Sequence, residues 1–171
     1  MFKMILAVDV DYRSNQANVA AIAFNHWSDP EPAQESVIQV SDPAAYVPGQ
    51  FYRRELPCIL ALLKQIEVVP ECIVIDGYVY LGSEKKPGLG QYLFEALDET
   101  TPIIGVAKSR FKDTPVGVEV FRGQSKRPLY VTAVGINEVE ARYLIAGMYG
   151  PHRIPVLLKR VDQLCRQTGV P

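Results

Sequence analysis

The feature that most constrains the fold is a short, entirely apolar segment, Cys-Ile-Val-Ile at residues 72–75, which is followed at once by Asp76 and Gly77. Such a run is typical of a strand that is buried on both faces. Strands of this kind occupy the middle of parallel sheets, where helices cover both sides of the sheet. The segment therefore predicts an α/β fold with this strand near the centre.

Hydrophobic patterning elsewhere predicts the elements around that strand. Further strands are expected at residues 2–10, 19–26, 36–40, 102–107, 117–121 and 128–133. Helices are expected at about 51–66, 91–97, 137–149 and 156–167, with Pro57 in the first turn or at a kink of the first helix and Asn137 as the N-cap of the third. A strand meander followed by alternating strands and helices predicts one domain, residues 1–171, with a mixed central sheet and flanking helices.

Composition and charge limit the function classes. The formal net charge is −1, so a nucleic-acid partner has to be recognised by local basic clusters. Cys58, Cys72 and Cys165 are scattered through apolar surroundings, which favours reduced core thiols over disulfides or a zinc site. The apolar run at residues 4–8 is too short for a signal peptide or a membrane span. We therefore expect no membrane partner and a cytoplasmic location.

Three acidic residues stand where a predicted element begins or ends. Asp9 is near the end of the first strand, Asp76 ends the apolar strand, and Glu55 lies near the start of the first helix. Two carboxylates at the ends of neighbouring buried strands lose hydration and repel each other. A bound Mg²⁺ would relieve both problems and could orient a water toward a phosphodiester. The alternative interpretation is that each strand-end aspartate is an ordinary turn residue.

Basic clusters follow several predicted strand ends and turns, at residues 85–86, 108–112 and 122–127. Such loops are where phosphate contacts are expected, with Lys108 the foremost candidate. A solvated charged surface is the alternative. The Gly88-Leu89-Gly90 segment lacks the full pattern of a dinucleotide-binding loop.

Six short motifs carry a family resemblance. They are Val8-Asp9-Val10, Tyr46-Val47-Pro48-Gly49 followed by Arg54-Glu55, Ile75-Asp76-Gly77, Gly105-Val106-Ala107-Lys108-Ser109, Pro128-Leu129-Tyr130-Val131, and His152-Arg153-Ile154-Pro155 with Asp162 beyond. In this order, and over nearly the whole chain, they resemble the endonuclease V family.

The resemblance implies an RNase H-like fold and Mg²⁺-dependent cleavage, with Mn²⁺ as an alternative ion, of a phosphodiester one nucleotide beyond a deaminated purine, on its 3′ side, in DNA or RNA. By position, the metal-site and catalytic carboxylates are Asp9, Glu55 and Asp76, and Lys108 lies near the scissile phosphate. The segment Tyr46, Val47, Pro48, Gly49 corresponds to a wedge that separates strands at the lesion, a task that suits an aromatic residue and a proline.

The resemblance also implies further substrate contacts, and the chain departs from the family pattern at some of the positions near them. The expected contacts are Tyr78, Gly88, Leu89, Gly90, Ser109 and His152. The segment at residues 135–137 lacks the histidine of the family, and Tyr78-Val79 replaces its His-Gly. The alternatives therefore stay open: a nucleic-acid-binding protein without catalysis, or a nuclease for branched or single-stranded substrates. In each case we expect a monomer with a nucleic-acid partner.

Overall fold

A computed structural model describes residues 3–41 and 52–167 of the chain. Its strands are β1 (Lys3–Arg13), β2 (Gln16–Phe24), β3 (Gln34–Ser41), β4 (Val69–Asp76), β5 (Tyr80–Leu81), β6 (Lys86–Pro87), β7 (Ile103–Ala107), β8 (Glu119–Val120) and β9 (Leu129–Val134). Its α-helices are α1 (Tyr52–Gln65), α2 (Leu89–Ala96), α3 (Glu138–Ala146) and α4 (Val156–Arg166).

Seven of these strands form one mixed sheet in the order β3-β2-β1-β4-β7-β9-β8, and β5 pairs with β6 in a small hairpin. The strands β1, β4 and β7 run parallel to one another, while the other pairs in the sheet are antiparallel. The apolar segment at 72–75 lies within β4, in the middle of the sheet, so the predicted mixed α/β fold is confirmed.

Helices cover both faces of the sheet because successive side chains of each central strand point to opposite faces. On β1, Ile5 and Ala7 pack in the layer of α3 and α4, whereas Leu6 and Val8 pack in the layer of α1 and α2. Both layers are apolar and buried. No helix in the described ranges is long and apolar enough to cross a membrane.

The structure refines three local predictions. The strand expected at 117–121 is a 3₁₀ turn, Val116–Val118, followed by the two-residue edge strand β8, since Pro115 and Gly117 do not favour a long ladder. The helix expected at about 91–97 is α2, Leu89–Ala96, which begins two residues earlier and is preceded by the short strand β6. Pro57, expected in the first turn or at a kink, lies inside α1 with an exposed side chain, in the second turn of the helix described from Tyr52.

The turn that follows Asp76 is fixed by the neighbouring strands. The buried backbone N–H of Val79 donates to Thr132 Oγ1 on β9 at 2.8 Å. At Gly105 on β7, an added Cβ would lie 2.5 Å from the Gly77 carbonyl oxygen, so only glycine lets this turn approach the sheet. The position of the chain just beyond Asp76 therefore depends on two residues of other strands.

The substitution Thr132→Val is expected to destabilise the protein by about 1–3 kcal/mol, because it leaves the N–H of Val79 buried without a partner. For a chain of this size, that corresponds to a fall of about 5 °C in the midpoint of thermal unfolding. Circular dichroism melting measures it, with Thr101→Val at the half-buried approach to β7 as the control. An equal effect of both substitutions would contradict the assigned role of the hydroxyl.

Candidate active site

The alternation of side chains along the three parallel strands brings Asp9, Asp76 and Lys108 to one face of the sheet. Asp9 continues the series Ile5, Ala7 on β1, in the layer of α3 and α4. Asp76 and Lys108 continue the equivalent series on β4 and β7. Since Val8 lies opposite Ile75 at the last pair of the β1–β4 register, the two aspartates lie side by side just beyond that pairing. Asp76 ends β4, whereas β1 continues past Asp9 to Arg13, so the expectation that Asp9 lies near the end of its strand is wrong.

Lys108 provides a positive charge next to these carboxylates. Its Nζ lies 3.7 Å from Asp76 Oδ2, and the two side chains expose 37% and 43% of their surfaces. The backbone of Lys108 is held by Arg153, whose Nη2 donates to the carbonyls of Lys108 at 2.5 Å and Pro128 at 2.8 Å. The lysine is therefore held at its backbone and remains open to solvent at its ammonium group.

Helix α4 adds a carboxylate that was not among the predicted site residues. Ligand atoms of Asp9, Asp162 and Cys165 all lie within 4.8 Å of one another. Burial raises the pKa of the Cys165 thiol to about 12, so it stays protonated, and the oxygen donors of this group are Asp9 and Asp162. In the sequence, Asp162 follows the His-Arg-Ile-Pro motif, which is the feature that could have indicated it. In the structure, Asp162 lies on α4, the helix that packs over β1.

Glu55 approaches from α1, in the opposite layer. It lines a cleft of about 590 Å³ together with Asp76 and Lys108. Burial, and then the negative charge of Asp76, raise the pKa of Glu55 to about 7. Of the predicted residues, Glu55, Asp76 and Lys108 share the cleft, whereas Asp9 lies outside its lining. Among the described residues, the close group of possible ligands joins Asp9 to Asp162 and Cys165 and contains neither Glu55 nor Asp76.

The carboxylates of Asp9, Asp76 and Asp162 are partly buried close together, and in the absence of a cation this arrangement disfavours their ionised forms. Burial and then the charge of Asp76 raise the pKa of Asp9 to about 8. Burial also raises the pKa of Asp76, against the opposing charge of Lys108. Burial acts in the same sense on Asp162, but the hydrogen bond from Arg166 and the charge of Lys108 prevail and lower its pKa. A hard divalent cation would relieve this repulsion, and a set of carboxylate oxygens is the donor type that it prefers.

The Asp9→Asn substitution is expected to stabilise the metal-free protein at alkaline pH. Because the folded-state pKa of Asp9 is raised from 3.8 to about 8, its contribution to stability is fully present below the lower value and is lost as the pH rises through the higher one. The gain from the amide should therefore grow between about pH 5 and pH 8.5. We expect it to reach about 2 kcal/mol, or about 5 °C, in the half-buried setting of this side chain.

Thermal melts in EDTA across this pH range measure the effect. The exposed Glu31→Gln is the matched carboxylate-to-amide control and should show no pH-dependent gain. Addition of Mg²⁺ should stabilise the wild type more than Asp9→Asn, since ligand binding to the folded state raises the melting temperature. A gain for Asp9→Asn that is the same at both ends of the range would contradict the assignment.

The predicted substrate contacts divide into two groups. Tyr78, Gly88, Leu89 and Ser109 line the cleft. The Tyr78 hydroxyl donates to the Ser109 carbonyl at 2.7 Å and accepts from the Phe111 N–H at 3.0 Å, which ties the loop after β7 to the turn after β4.

Gly90 and His152 form the second group. Gly90 lies in the first turn of α2, packed so tightly that an added Cβ would be 2.6 Å from Val79 Cγ2, and it is not among the residues that line the cleft. His152 is exposed in the turn before α4, where its carbonyl accepts a hydrogen bond from Arg122. Neither Gly90 nor His152 is therefore placed beside the carboxylates. The predicted wedge, Tyr46, Val47, Pro48 and Gly49, lies outside the described residues.

The prediction of a phosphate contact at Arg122 is wrong. Its side chain is 5% exposed. Its guanidinium donates to the backbone carbonyl of the last residue of α3 and to carbonyls of the segment that joins α3 to α4, those of Ala146, Met148, Gly150, His152 and Arg153. Arg122 is therefore a buried structural residue. The basic composition of the turn at 122–127 does not distinguish it from Lys126 and Arg127, whose side chains are exposed.

The sheet order, the two helical layers and the carboxylates at the ends of the parallel strands define an RNase H-like fold. Residues 1–139 match the sequence profile of the family described as Endonuclease V. The chain belongs to the endonuclease V family, which confirms the resemblance seen in its motifs.

Individual relatives agree with this assignment. The chain is similar to endonuclease V of Streptomyces coelicolor, with 32% identity over 143 residues, 71% of this chain and 59% of the relative. Its structure is similar to that of endonuclease V from Streptomyces avermitilis, with a TM-score of 0.74, 26% identity and coverage of 95% and 79% of the two chains. The fold also matches Ciona intestinalis endonuclease V in complex with a 24mer DNA containing an inosine followed by a ribo-adenosine, with a TM-score of 0.75, 19% identity and coverage of 96% and 84%.

Proposed function

We propose that this protein is a metal-dependent endonuclease that hydrolyses a phosphodiester near a deaminated, inosine-type purine in DNA or RNA. The observation that carries the proposal is the pair Asp9 and Asp162, whose ligand atoms lie within 4.8 Å of each other, next to Asp76 on the neighbouring strand. Asp76 is paired with Lys108, and both of these residues line the open cleft. Membership of the endonuclease V family supports the reaction class. The inosine-containing DNA in the Ciona complex supports the substrate class.

The carboxylates of Asp9, Asp76 and Asp162, with Glu55 on the cleft wall, would hold Mg²⁺ or Mn²⁺. When bound, the ion would supply positive charge for the phosphate and lower the pKa of a water for attack. The thiol of Cys165 is the wrong donor for a hard cation, and its backbone-directed contact with the Asp162 carbonyl gives it a packing role instead.

The residues of the chain itself bind and orient the substrate. Lys108 would place its ammonium group on a non-bridging oxygen of the scissile phosphate, as its partial exposure allows. Tyr78 and Phe111, whose ring centroids lie 6.3 Å apart, line the cleft and offer aromatic faces to a base that has left the stack. We also propose that residues 1–171 form one domain that acts as a monomer in the cytoplasm.

A cleavage assay with the full chain tests the proposal. Labelled DNA and RNA oligonucleotides, each with a single inosine or with guanine at the same position, are incubated with Mg²⁺, with Mn²⁺ or with EDTA. We expect a metal-dependent product from the inosine substrates, cut one nucleotide beyond the inosine on its 3′ side. Equal rates on the guanine substrates would exclude the inosine specificity, and the absence of any metal-dependent product would exclude the nuclease.

A binding protein without catalysis is the second candidate, and the segment at 135–137 favours it. The family has a histidine there, whereas Asn137 in this chain caps α3 by accepting from the N–H groups of Val139 and Glu140. This candidate predicts affinity for inosine-containing oligonucleotides without turnover, and the same assay separates it from the nuclease.

A further inference from the structure

Arg166 is the last residue of α4 and lines the same cleft as Asp76 and Lys108. Its Nε donates to Asp162 Oδ1 at 2.8 Å, and its Nη1 lies 4.0 Å from Asp11 Oδ1. The side chain nevertheless exposes 61% of its surface. We propose that Arg166 binds a backbone phosphate of the nucleic-acid substrate beside the cleavage position, an inference that rests on the proposed function.

The geometry of Arg166 suits a phosphate ligand. The contact with Asp162 uses Nε, so the two Nη groups keep donors for a pair of phosphate oxygens. The planar guanidinium group matches such a pair, and it remains charged at all relevant pH values. Because Asp162 and Asp11 already orient the side chain, binding a phosphate would cost less conformational entropy than it would for a free surface arginine.

The end of α4 is itself held in place. Arg13 at the end of β1 donates through Nη2 to the Arg166 carbonyl at 2.5 Å, and its Nε donates to Asp11 Oδ2 at 2.8 Å. Asp11 therefore connects the two arginines. A helix end that is tied to the neighbouring strand does not fray as freely as an open one, which keeps Arg166 at the cleft.

The cleft also needs positive charge at this position. Lys108 is paired with Asp76, and the carboxylate of Asp162 lies beside Asp9 on the same side of the sheet. A polyanionic strand that crosses these carboxylates requires cations that contact its phosphates. Arg166 supplies one on the α4 side of the cleft.

The same helix offers a matched control. Arg160 on α4 forms a two-point contact with Glu35 on β3, at 2.5 and 2.8 Å, and its side chain is 37% exposed. It is thus the same residue type, paired with a carboxylate on the same helix, but it faces the β3 edge and is not among the cleft residues. Loss of Arg160 changes the net charge of the protein by the same amount as loss of Arg166.

The experiment measures binding of a fluorescein-labelled, inosine-containing DNA duplex by fluorescence anisotropy in EDTA, between about 50 and 200 mM salt. We expect Arg166→Met to weaken binding roughly tenfold, the effect of one charge-assisted contact. The slope of log affinity against log salt should become shallower by about 0.9, the value for one phosphate contact. Arg160→Met should leave both quantities unchanged. Arg166→Lys should preserve most of the slope.

Circular dichroism melts establish that each variant is folded. If Arg166→Met does not fold, Arg166→Gln, which can still donate to Asp162, should show the same change in slope. An unchanged slope in folded Arg166→Met or Arg166→Gln, or an equal change in Arg160→Met, overturns the inference, while wild-type cleavage leaves the proposed function intact. A wild type that neither binds nor cleaves the duplex overturns both.

Discussion

Asp9→Asn is expected to lower the rate of inosine-directed cleavage by a factor of roughly 10³ while the protein remains folded. The substitution replaces a carboxylate that contributes to the proposed cation site with an amide of the same shape. Removal of one preorganised electrostatic contact at a reacting centre costs on the order of 10²–10³ in rate. The readout is product formation at saturating enzyme with Mg²⁺, so that weaker substrate binding does not contribute.

Two further variants make this test specific. Asp162→Asn should cause a loss of similar size, because Asp162 shares the group with Asp9 across the helix–sheet interface. Glu31→Gln, exposed in the connection between β2 and β3, should retain the wild-type rate. If Asp162→Asn were as active as Glu31→Gln, the site would not extend to α4, and the arrangement proposed here would be wrong.

Arg122→Met should have the largest effect on stability, about 3–5 kcal/mol, or roughly 10 °C in the melting midpoint. Methionine fills much of the same volume but leaves the buried carbonyl of Met148 and the partly buried carbonyls of Gly150 and His152 without this donor. That segment also carries Arg153, which holds the backbone of Lys108. A stability loss there is therefore expected to reduce cleavage as well.

Arg127→Met is the control for this prediction. Arg127 lies five residues further along in the same basic turn, but its side chain is exposed. Its loss should change the melting midpoint by no more than about 1 °C, as for most surface substitutions. If Arg122→Met melted like the wild type and instead weakened binding to DNA, the original expectation of a phosphate contact would be restored.

Much of the sheet followed from local patterns in the sequence. The apolar run at 72–75 predicted a central strand, and the acidic residues after it and near the end of the predicted first strand indicated a carboxylate pair. These predictions were possible because a strand alternates its side chains with a period of two, so the face that each residue occupies is set by its neighbours along the chain. The N-cap at Asn137 was readable for the same reason, since the capping side chain bonds to backbone within three residues.

The tertiary structure decided which side chains meet at the site. Asp162 lies far from Asp9 in sequence and reaches it only because α4 packs over β1, while Glu55 comes from the layer on the other side of the sheet. The sequence also did not distinguish the roles of three arginines. Arg122 is buried against backbone carbonyls, Arg160 is paired with a carboxylate at the β3 edge, and Arg166 lines the cleft. The sequence by itself determined periodicity, caps and the strand-end acids, which are local properties. The positions of the helices over the sheet depend on close packing among many residues that are distant in sequence, so no short motif predicts them.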